Sequence, residues 1–219
     1  SVKKNQEIII PQLLEILNPQ LWTPGNPHSY IIKSTIYAGD ILLDEFIRSL
    51  PVYVLNANDD SLTFNNGSFE FRGVTYIPSY GENGKLATYT DMERDIRLIK
   101  DTGFNTIRFT KAVPHPYLLH LCEKYGLFAL IELPLSGIPE ELTRSAEFFA
   151  RSKNYLYDFL RYYKRYPAIA GVGLGYSYLS NSVAHKNFLA ELASIIKFET
   201  NRLVYASFIG SKLSLIDNI

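Results

Sequence analysis

Short apolar runs alternate with segments of helical periodicity from about Gly73 onward, and this alternation constrains the fold most strongly. Five runs read as strands: Gly73–Ile77, Asn105–Phe109, Leu127–Leu133, Ala168–Leu174 and Leu203–Ser207. The four segments between them read as helices, at about residues 90–101, 116–125, 145–165 and 186–199. Such alternation predicts a parallel sheet with helical crossovers, and the continuous apolar strands fit a sheet that is covered on both faces.

Two α/β architectures satisfy this pattern: a (β/α)8 barrel and an open, doubly wound sheet. A doubly wound sheet that binds a dinucleotide carries G-x-G-x-x-G directly after its first strand. No such motif follows Gly73–Ile77, and the alternating glycines Gly171, Gly173 and Gly175 do not have that spacing. The dinucleotide-binding version is therefore disfavoured, while the choice between barrel and open sheet stays open at this point.

Helix boundaries are marked by local signals. Thr90 is predicted to cap the first helix, with Glu93 reaching back to complete a capping box. Pro116 is typical of the first helical position, and Gly126 of the residue that ends a helix.

The first 70 residues show a different sequence pattern, with short runs rich in β-branched and aromatic residues. These runs are Glu7–Ile10, Ser29–Tyr37, Ile41–Phe46, Pro51–Leu55, Leu62–Phe64 and Ser68–Phe71. Asn65-Asn66-Gly67 separates the last two and is a strong hairpin signal. Strands this short and frequent predict part of a β-sandwich.

Composition excludes several classes of function. With 22 basic and 22 acidic residues, the chain lacks the basic excess of a nucleic-acid binder. The single cysteine, Cys122, cannot form an internal disulfide, and the four histidines do not have the spacing of a helical zinc site. No metal site or cofactor is predicted. No apolar run approaches the roughly 20 residues that a membrane-spanning helix needs.

Four segments resemble family 2 glycoside hydrolases of the β-galactosidase and β-glucuronidase type. They are Leu21–Tyr30, Phe71–Tyr76, Asp91–Arg108 and Leu121–Pro134, in the family's order and spacing. The resemblance implies that residues 1–70 are the end of an Ig-like β-sandwich domain. It implies that residues 71–219 are the first five β/α units of a TIM barrel. Because five strands cannot close an eight-stranded barrel, we expect a longer polypeptide or an oligomer.

The resemblance also implies a retaining mechanism, which needs two carboxyl groups about 5–5.5 Å apart. In the family, the general acid/base is the glutamate of an Asn-Glu pair after the fourth barrel strand, and the nucleophile lies near the seventh strand. Here Tyr176 and Ser177 occupy the positions of the Asn and the Glu. A serine hydroxyl cannot serve as a general acid at neutral pH, because its pKa is far too high. Catalytic degeneracy is therefore predicted.

The remaining candidate residues lie at the predicted strand ends. Arg108 and Glu132 match family positions, and Glu132 is either a surviving site carboxylate or an ion-pair partner of Arg108. Tyr176 and Tyr178 either stack on a sugar or fill the space of the lost Asn-Glu pair. Lys111 either binds an anionic group such as a uronate or is a solvated loop residue.

Other aromatic and loop residues have less specific interpretations. Trp22 is expected to pack in the sandwich or at the junction between the two parts of the chain. The long loop after the first barrel strand, with Tyr80, Glu82 and Asn83, either shapes a cleft or is simply mobile. A run of tyrosines is predicted to pack an outer helix against the barrel: Tyr155, Tyr157, Tyr162, Tyr163 and Tyr166.

Three functions stay open. The favoured one is a degenerate glycosidase-like domain that binds carbohydrate or acts as a scaffold, with a secreted or periplasmic location implied by the resemblance. The second is an active retaining β-glycosidase whose catalytic residues lie beyond this chain. The third is a structural or interaction module that keeps only the fold. Fold alone cannot separate the three, because function belongs to sites.

Overall fold

The N-terminal part of the protein consists of antiparallel hairpins. The computed structural model describes residues 8–58, 61–77 and 87–209. Strands β1 (Tyr30–Ala38) and β2 (Ile41–Leu50) form a long two-stranded sheet. Strands β3 (Leu55–Ala57), β4 (Leu62–Phe64) and β5 (Gly67–Ser68) form a second, three-stranded sheet. The assignment of residues 1–70 to an Ig-like sandwich domain stays a prediction.

The hairpin predicted at Asn65-Asn66 is confirmed. Both residues have a positive φ, 50° and 66°, as a two-residue hairpin turn between right-twisted strands requires. Phe64 pairs with Gly67 across this turn. The asparagine pair therefore fixes the register of β4 and β5.

Two predicted strand boundaries are wrong. Residues 8–10 form no strand, and Glu7 lies outside the described residues. In the run Pro51–Leu55, only Leu55 enters a strand, because the other backbone groups bond to loops. The Val52 carbonyl accepts from the Trp22 N–H at 2.8 Å, and the Val54 N–H donates to the Asn65 side chain at 3.0 Å.

A five-stranded parallel sheet follows, and its strands lie side by side in chain order. They are β6 (Gly73–Tyr76), β7 (Thr106–Phe109), β8 (Phe128–Glu132), β9 (Ile169–Gly173) and, after the short β10 (Tyr178–Leu179), β11 (Leu203–Tyr205). A doubly wound sheet reverses its strand order at a switch point. The order here has no reversal, so the described sheet is a partial barrel, as the barrel alternative predicts. A final strand, β12 (Phe208–Ile209), pairs with β10.

Helices connect the parallel strands and cover one face of the sheet. They are α1 (Tyr89–Asp101), α2 (Pro116–Tyr125), the one-turn α3 (Glu140–Thr143), α4 (Ala146–Tyr163) and α5 (Val183–Glu199). Alternate strand residues such as Ile107, Ile131 and Val172 are fully buried against them. No helix within the three described ranges is both long and apolar enough to cross a membrane.

The cap predicted for α1 is shifted by two residues. Thr88, not Thr90, caps this helix, and Asp91 completes the box by accepting the Thr88 N–H at 3.0 Å. Thr88 and Thr90 are each followed three residues later by an acidic residue, so the spacing alone allowed both. Glu93 instead accepts hydrogen bonds from Tyr125, Lys124 and Arg97.

The Glu93 contacts predict a pH-dependent stability. The hydrogen bond from Tyr125, together with Lys124 and Arg97, lowers the pKa of Glu93 from 4.5 to about 2. A lowered pKa in the folded state stabilises the protein above the unfolded pKa, and this contribution disappears as the pH falls toward about 2. Glu93→Gln should therefore lower Tm at pH 7, with the difference from wild type shrinking below about pH 4.5.

Thermal unfolding from pH 7 to pH 2 tests this expectation. Glu147→Gln is the control, because Glu147 forms one exposed ion pair with Arg151 at 2.5 Å. Exposed pairs of this kind contribute little to stability. A difference between wild type and Glu93→Gln that stays constant down to pH 2 would contradict the assignment.

The tyrosine run has a mixed role. Tyr163 stacks on Phe159 with ring centroids 5.0 Å apart, as a packing role requires. Tyr155, Tyr157 and Tyr162 keep more than two-fifths of their surface exposed, and Tyr166 lies beyond the end of α4.

Aromatic rings join the N-terminal hairpins to the sheet. Trp22 is 1% exposed and packs edge-on against Phe128 of β8, with centroids 4.9 Å apart. We call the set Trp22, Tyr53, Phe64, Phe69, Phe71 and Phe128 the basal aromatic cluster. It covers the amino-terminal end of β8 on the face opposite the helices. Trp22 therefore lies at the junction, one of its two expected places.

The backbone at this junction is tightly fitted. The Lys100 ammonium donates to the carbonyls of Pro24, at 2.6 Å, and Gly126, at 3.1 Å. Gly126 ends α2 in the left-handed conformation, φ 71°, and a Cβ added there would lie 2.4 Å from the Pro24 carbonyl oxygen. Only glycine fits this turn without moving the segment around Pro24.

Candidate functional site

The candidate site lies at the carboxyl ends of the parallel strands, on the face opposite the helices. The register places Glu132 at the end of β8 beside Gly173 of β9, and Gly173 beside Tyr205 of β11. Arg108 lies on the neighbouring strand β7. Barrel enzymes place their catalytic residues at this end of the strands. We call this region the strand mouth.

Glu132 is the central charged group of the strand mouth and has no exposed surface. Its Oε1 lies 2.6 Å from Nη2 of Arg108, which confirms the expected ion pair. Its Oε2 accepts a hydrogen bond from the buried hydroxyl of Thr110. Both carboxylate oxygens therefore have partners, as a buried charge requires.

Arg108 links this buried pair to solvent, since about a third of its side chain, 32%, is exposed. Burial alone would lower its pKa, but the hydrogen bond and negative charge of Glu132 outweigh burial and raise it. Arg108 is thus a permanent cation that is bound to Glu132 and partly exposed.

Tyr205 is a site residue that the sequence did not reveal. Its ring lies directly against the backbone of Gly173, where an added Cβ would come within 2.5 Å of Cζ. Burial and the nearby charge of Glu132 raise the pKa of the Tyr205 hydroxyl, and Arg108 opposes this shift. The sequence signal was a tyrosine at the end of a strand, which is too common to indicate a site by itself.

Tyr178 is buried and fills space. It has no exposed surface, and its hydroxyl lies 2.5 Å from the Leu135 carbonyl oxygen and 2.8 Å from that of Leu174. These contacts correspond to the space-filling interpretation, because a side chain with no accessible surface cannot stack on a sugar. Burial, assisted by the charge of Glu132, raises the Tyr178 pKa.

Tyr176 and Ser177 lie beside it and are half-buried. Ser177 has a φ of 66°, a left-handed conformation that is unusual for serine. The Tyr176 carbonyl accepts from the Gly137 N–H at 3.0 Å, which ties the loop after β9 to the loop after β8.

His185 is a second residue that the sequence did not reveal. It is 2% exposed, and its Nδ1 accepts from the Leu179 N–H at 3.0 Å. Its Nε2 lies 3.0 Å from the Ile138 carbonyl oxygen, so the proton of the neutral ring belongs on Nε2. His185 thereby connects β10 to the loop after β8.

Lys111 follows Thr110 at the end of β7 and is exposed, with a φ of 68°. Tyr80, Glu82 and Asn83 lie outside the described residues. Within the described residues, no group of three or more His, Cys, Asp and Glu side chains is arranged to hold a metal ion.

Sequence comparison with known proteins finds glycoside hydrolases that are similar to this chain. Residues 55–159 match the family model "Glycosyl hydrolases family 2, TIM barrel domain". The β-galactosidase of Photobacterium profundum is 30% identical over 125 residues, covering 57% of this chain and 12% of the relative. The β-galactosidase BoGH2A of Bacteroides ovatus is 26% identical over 130 residues, covering 58% of this chain and 15% of that protein. The chain thus spans a small part of the length of these relatives.

Solved structures agree with the fold. A β-glucuronidase of Parabacteroides merdae superposes with a TM-score of 0.75 at 21% identity, covering 90% of this chain and 25% of that one. A β-galacturonidase of Eisenbergiella tayi gives a TM-score of 0.76 at 21% identity, covering 90% of this chain and 35% of that one. At such identities the likeness establishes the fold alone. The family model matched over residues 55–159, the similar β-galactosidases and the fold shared with solved members together support a fragment of a family 2 glycoside hydrolase.

Proposed function

We propose that this chain forms a family 2 glycoside hydrolase barrel segment that binds carbohydrate at the strand mouth and does not hydrolyse it. The proposal is supported by Ser177, which the resemblance aligns with the general acid/base glutamate of the family. A general acid needs a pKa near the working pH, and a serine hydroxyl lies far above that range.

Glu132 is poorly placed to take over the lost role. A general acid must reach the glycosidic oxygen within hydrogen-bond distance. The Glu132 carboxyl is fully buried, with one oxygen bound to Arg108 and the other to Thr110. Its position instead suits it to hold Arg108 in one orientation, as part of a binding surface.

Other residues that follow the strand ends have groups suited to a sugar. The exposed part of Arg108 and the exposed Lys111 offer hydrogen-bond donors, and the half-buried Tyr176 ring offers an apolar face. Binding sites combine an apolar surface with a few polar groups in this way. The similar proteins are named for β-galactosides, β-glucuronides and β-galacturonides. These neutral and acidic hexopyranosides are therefore the ligands to try first.

A scaffold without a ligand is the second candidate. The space-filling positions of Tyr178 and of the Tyr205 ring over Gly173 favour it, because both reduce the room at the strand mouth. Binding measurements separate the two candidates.

The test combines turnover and binding. The chain and its longest natural form are assayed for hydrolysis of chromogenic β-galactoside, β-glucuronide and β-galacturonide, with Glu132→Gln as a control. Binding of the methyl glycosides is measured by calorimetry or NMR. We expect binding without turnover. Turnover that Glu132→Gln abolishes would overturn the proposal, and the absence of both turnover and binding would favour the scaffold.

Restoring the acid tests the cause of inactivity. In the longest natural form, Ser177→Glu should gain hydrolysis, whereas Ser177→Gln, of nearly the same size but without a titratable proton, should not. General-acid catalysis typically contributes about 10²–10⁴-fold in rate. Equal activity in the two variants would show that Ser177 does not occupy the acid position.

A further inference from the structure

A cleft opens at the amino-terminal end of the parallel sheet, the end opposite the strand mouth. It has a volume of about 520 Å³ and lies between residues 51–56 and the chain around the starts of β9 and β11. Its lining is partly apolar, with Tyr53, Val54 and Ile169, and partly polar. This volume falls within the range of small-molecule sites, about 300–1,000 Å³. We call it the basal cleft.

The polar side of the basal cleft is electropositive. It carries Arg202 and Lys164, and Glu199 is the one acidic residue among the described residues that line it. A second cleft of about 420 Å³ shares Arg202 with the first and adds Lys197. Three cations and one carboxylate therefore line this region, and a cleft lined mainly by one sign of charge attracts ligands of the opposite sign.

Arg202 is fixed in place, but only part of its guanidinium is used. Its Nη2 donates to the carbonyl of Lys164 at 2.8 Å and to that of Tyr166 at 2.9 Å, both just after the end of α4. In the described part of the chain, Nε and Nη1 have no partner, and neither is among the fully buried atoms that lack one. They therefore keep accessible surface. Since Arg202 lines both clefts, these are donors that a bound ligand can reach.

The positive charge of Arg202 is not compensated by a carboxylate. Burial lowers the pKa of Arg202, and the influence that opposes burial is the Tyr53 hydroxyl. Glu199 instead lies 3.6 Å from the ammonium of Lys164. Charged groups that are removed from water are normally paired, because an unpaired charge is costly. An anion in the basal cleft would supply the missing partner.

We propose that the basal cleft binds a small organic anion, whose oxyanion contacts Arg202 and Lys164 and whose apolar part lies on the Tyr53 side. Carboxylates and phosphates share the required chemistry, because both accept charge-assisted hydrogen bonds from guanidinium and ammonium groups. An inorganic ion would leave the apolar side of the lining uncovered, so an organic anion fits better. This site does not depend on the proposed carbohydrate binding, since it lies at the other end of the strands.

Titration of the full chain with benzoate, acetate, phenyl phosphate and benzyl alcohol tests the site. NMR follows the Nε–H resonance of Arg202 and gives the Kd for each compound. Benzoate adds an apolar ring to the carboxylate of acetate, so it should bind more tightly. Benzyl alcohol has the ring without the charge and should bind roughly tenfold more weakly than benzoate. Binding of the anions should weaken as the ionic strength rises.

Lys164→Gln is the informative variant, because 51% of this side chain is exposed and its loss should not unfold the protein. It should raise the Kd for benzoate roughly 3- to 10-fold, the loss of one hydrogen bond at an exposed group. Arg151→Gln is the matched control, because it removes the same charge from the exposed surface of α4 and should leave the Kd unchanged. A substitution of Arg202 would also remove its bonds to the end of α4 and is less specific.

Each outcome supports the inference or overturns it. Tighter binding of benzoate than of phenyl phosphate identifies the ligand as a carboxylate, and the reverse order identifies a phosphate ester. If benzyl alcohol binds as tightly as benzoate, or if Lys164→Gln binds benzoate as the wild type does, the anion site is wrong. The absence of any shift at Arg202 with all three anions would overturn it as well. Sugar binding at the strand mouth is measured separately, so neither result decides the other.

Discussion

Replacing Arg108 with methionine is expected to lower the free energy of unfolding by about 3 kcal/mol. Removing one member of a buried ion pair typically costs about 3–5 kcal/mol, because the other charge is left without a partner. We expect the lower end of this range, because 32% of the Arg108 side chain is exposed and water can partly take the place of the lost guanidinium. Glu132 has no exposed surface, and of its partners among the described residues Thr110 would remain in the variant. Urea denaturation followed by circular dichroism measures the change.

The double variant Arg108→Met, Glu132→Leu is the matched control. It removes both charges, and replacing a buried pair by apolar residues of similar volume is often close to neutral. We therefore expect the double variant to regain most of the lost stability. If it is as unstable as Arg108→Met alone, the loss comes from packing around Arg108 and the electrostatic explanation is wrong.

Replacing Trp22 with alanine is expected to cost about 3–5 kcal/mol, the range for removing a large buried aromatic side chain. Trp22 is 1% exposed and packs against Phe128 and Phe64, with centroids 4.9 and 6.2 Å away. Its indole N–H also donates to the Glu123 carbonyl at 3.2 Å. The substitution weakens the contact between the N-terminal hairpins and the sheet. Limited proteolysis of Trp22→Ala should therefore cleave the hairpins first.

Trp22→Phe separates ring packing from the hydrogen bond. It keeps an aromatic ring in the basal aromatic cluster and should cost clearly less than Trp22→Ala. Trp22 is the only tryptophan of the chain, so the emission wavelength of the wild type reports its burial directly. A red-shifted emission from the folded protein, or an alanine variant of unchanged stability, would show that the cluster does not hold the two parts together.

The sequence predicted the repeating elements well because their signals are redundant. Strand β8 is apolar from Phe128 to Ile131, and α2 is bounded by Pro116 and Gly126, so each element was specified by several residues at once. The prediction of the α1 cap used a single pattern, a threonine followed three residues later by an acidic residue. This pattern occurs twice in Thr88-Tyr89-Thr90-Asp91-Met92-Glu93. The structure selects the earlier copy, a choice that local sequence could not make.

Only part of the candidate site could be predicted from the sequence. Arg108 and Glu132 stood out because they match family positions at predicted strand ends, and their pairing follows from adjacent parallel strands. Tyr205 did not stand out, because its role depends on the absence of a side chain at Gly173, more than thirty residues away on β9. His185 was likewise hidden, because its partners are backbone groups of β10 and of the loop after β8.

The contact between Trp22 and the last turn of α2 has a consequence for biosynthesis. The indole N–H and its acceptor on Glu123 are separated by 101 positions in the chain. At about 5–20 residues per second, a ribosome needs roughly 5–20 s between making the first partner and the second. During this interval the hairpin aromatics have no Phe128 to cover them. The nascent chain therefore exposes an apolar surface that chaperones can bind. This surface is covered only after β8 has left the exit tunnel.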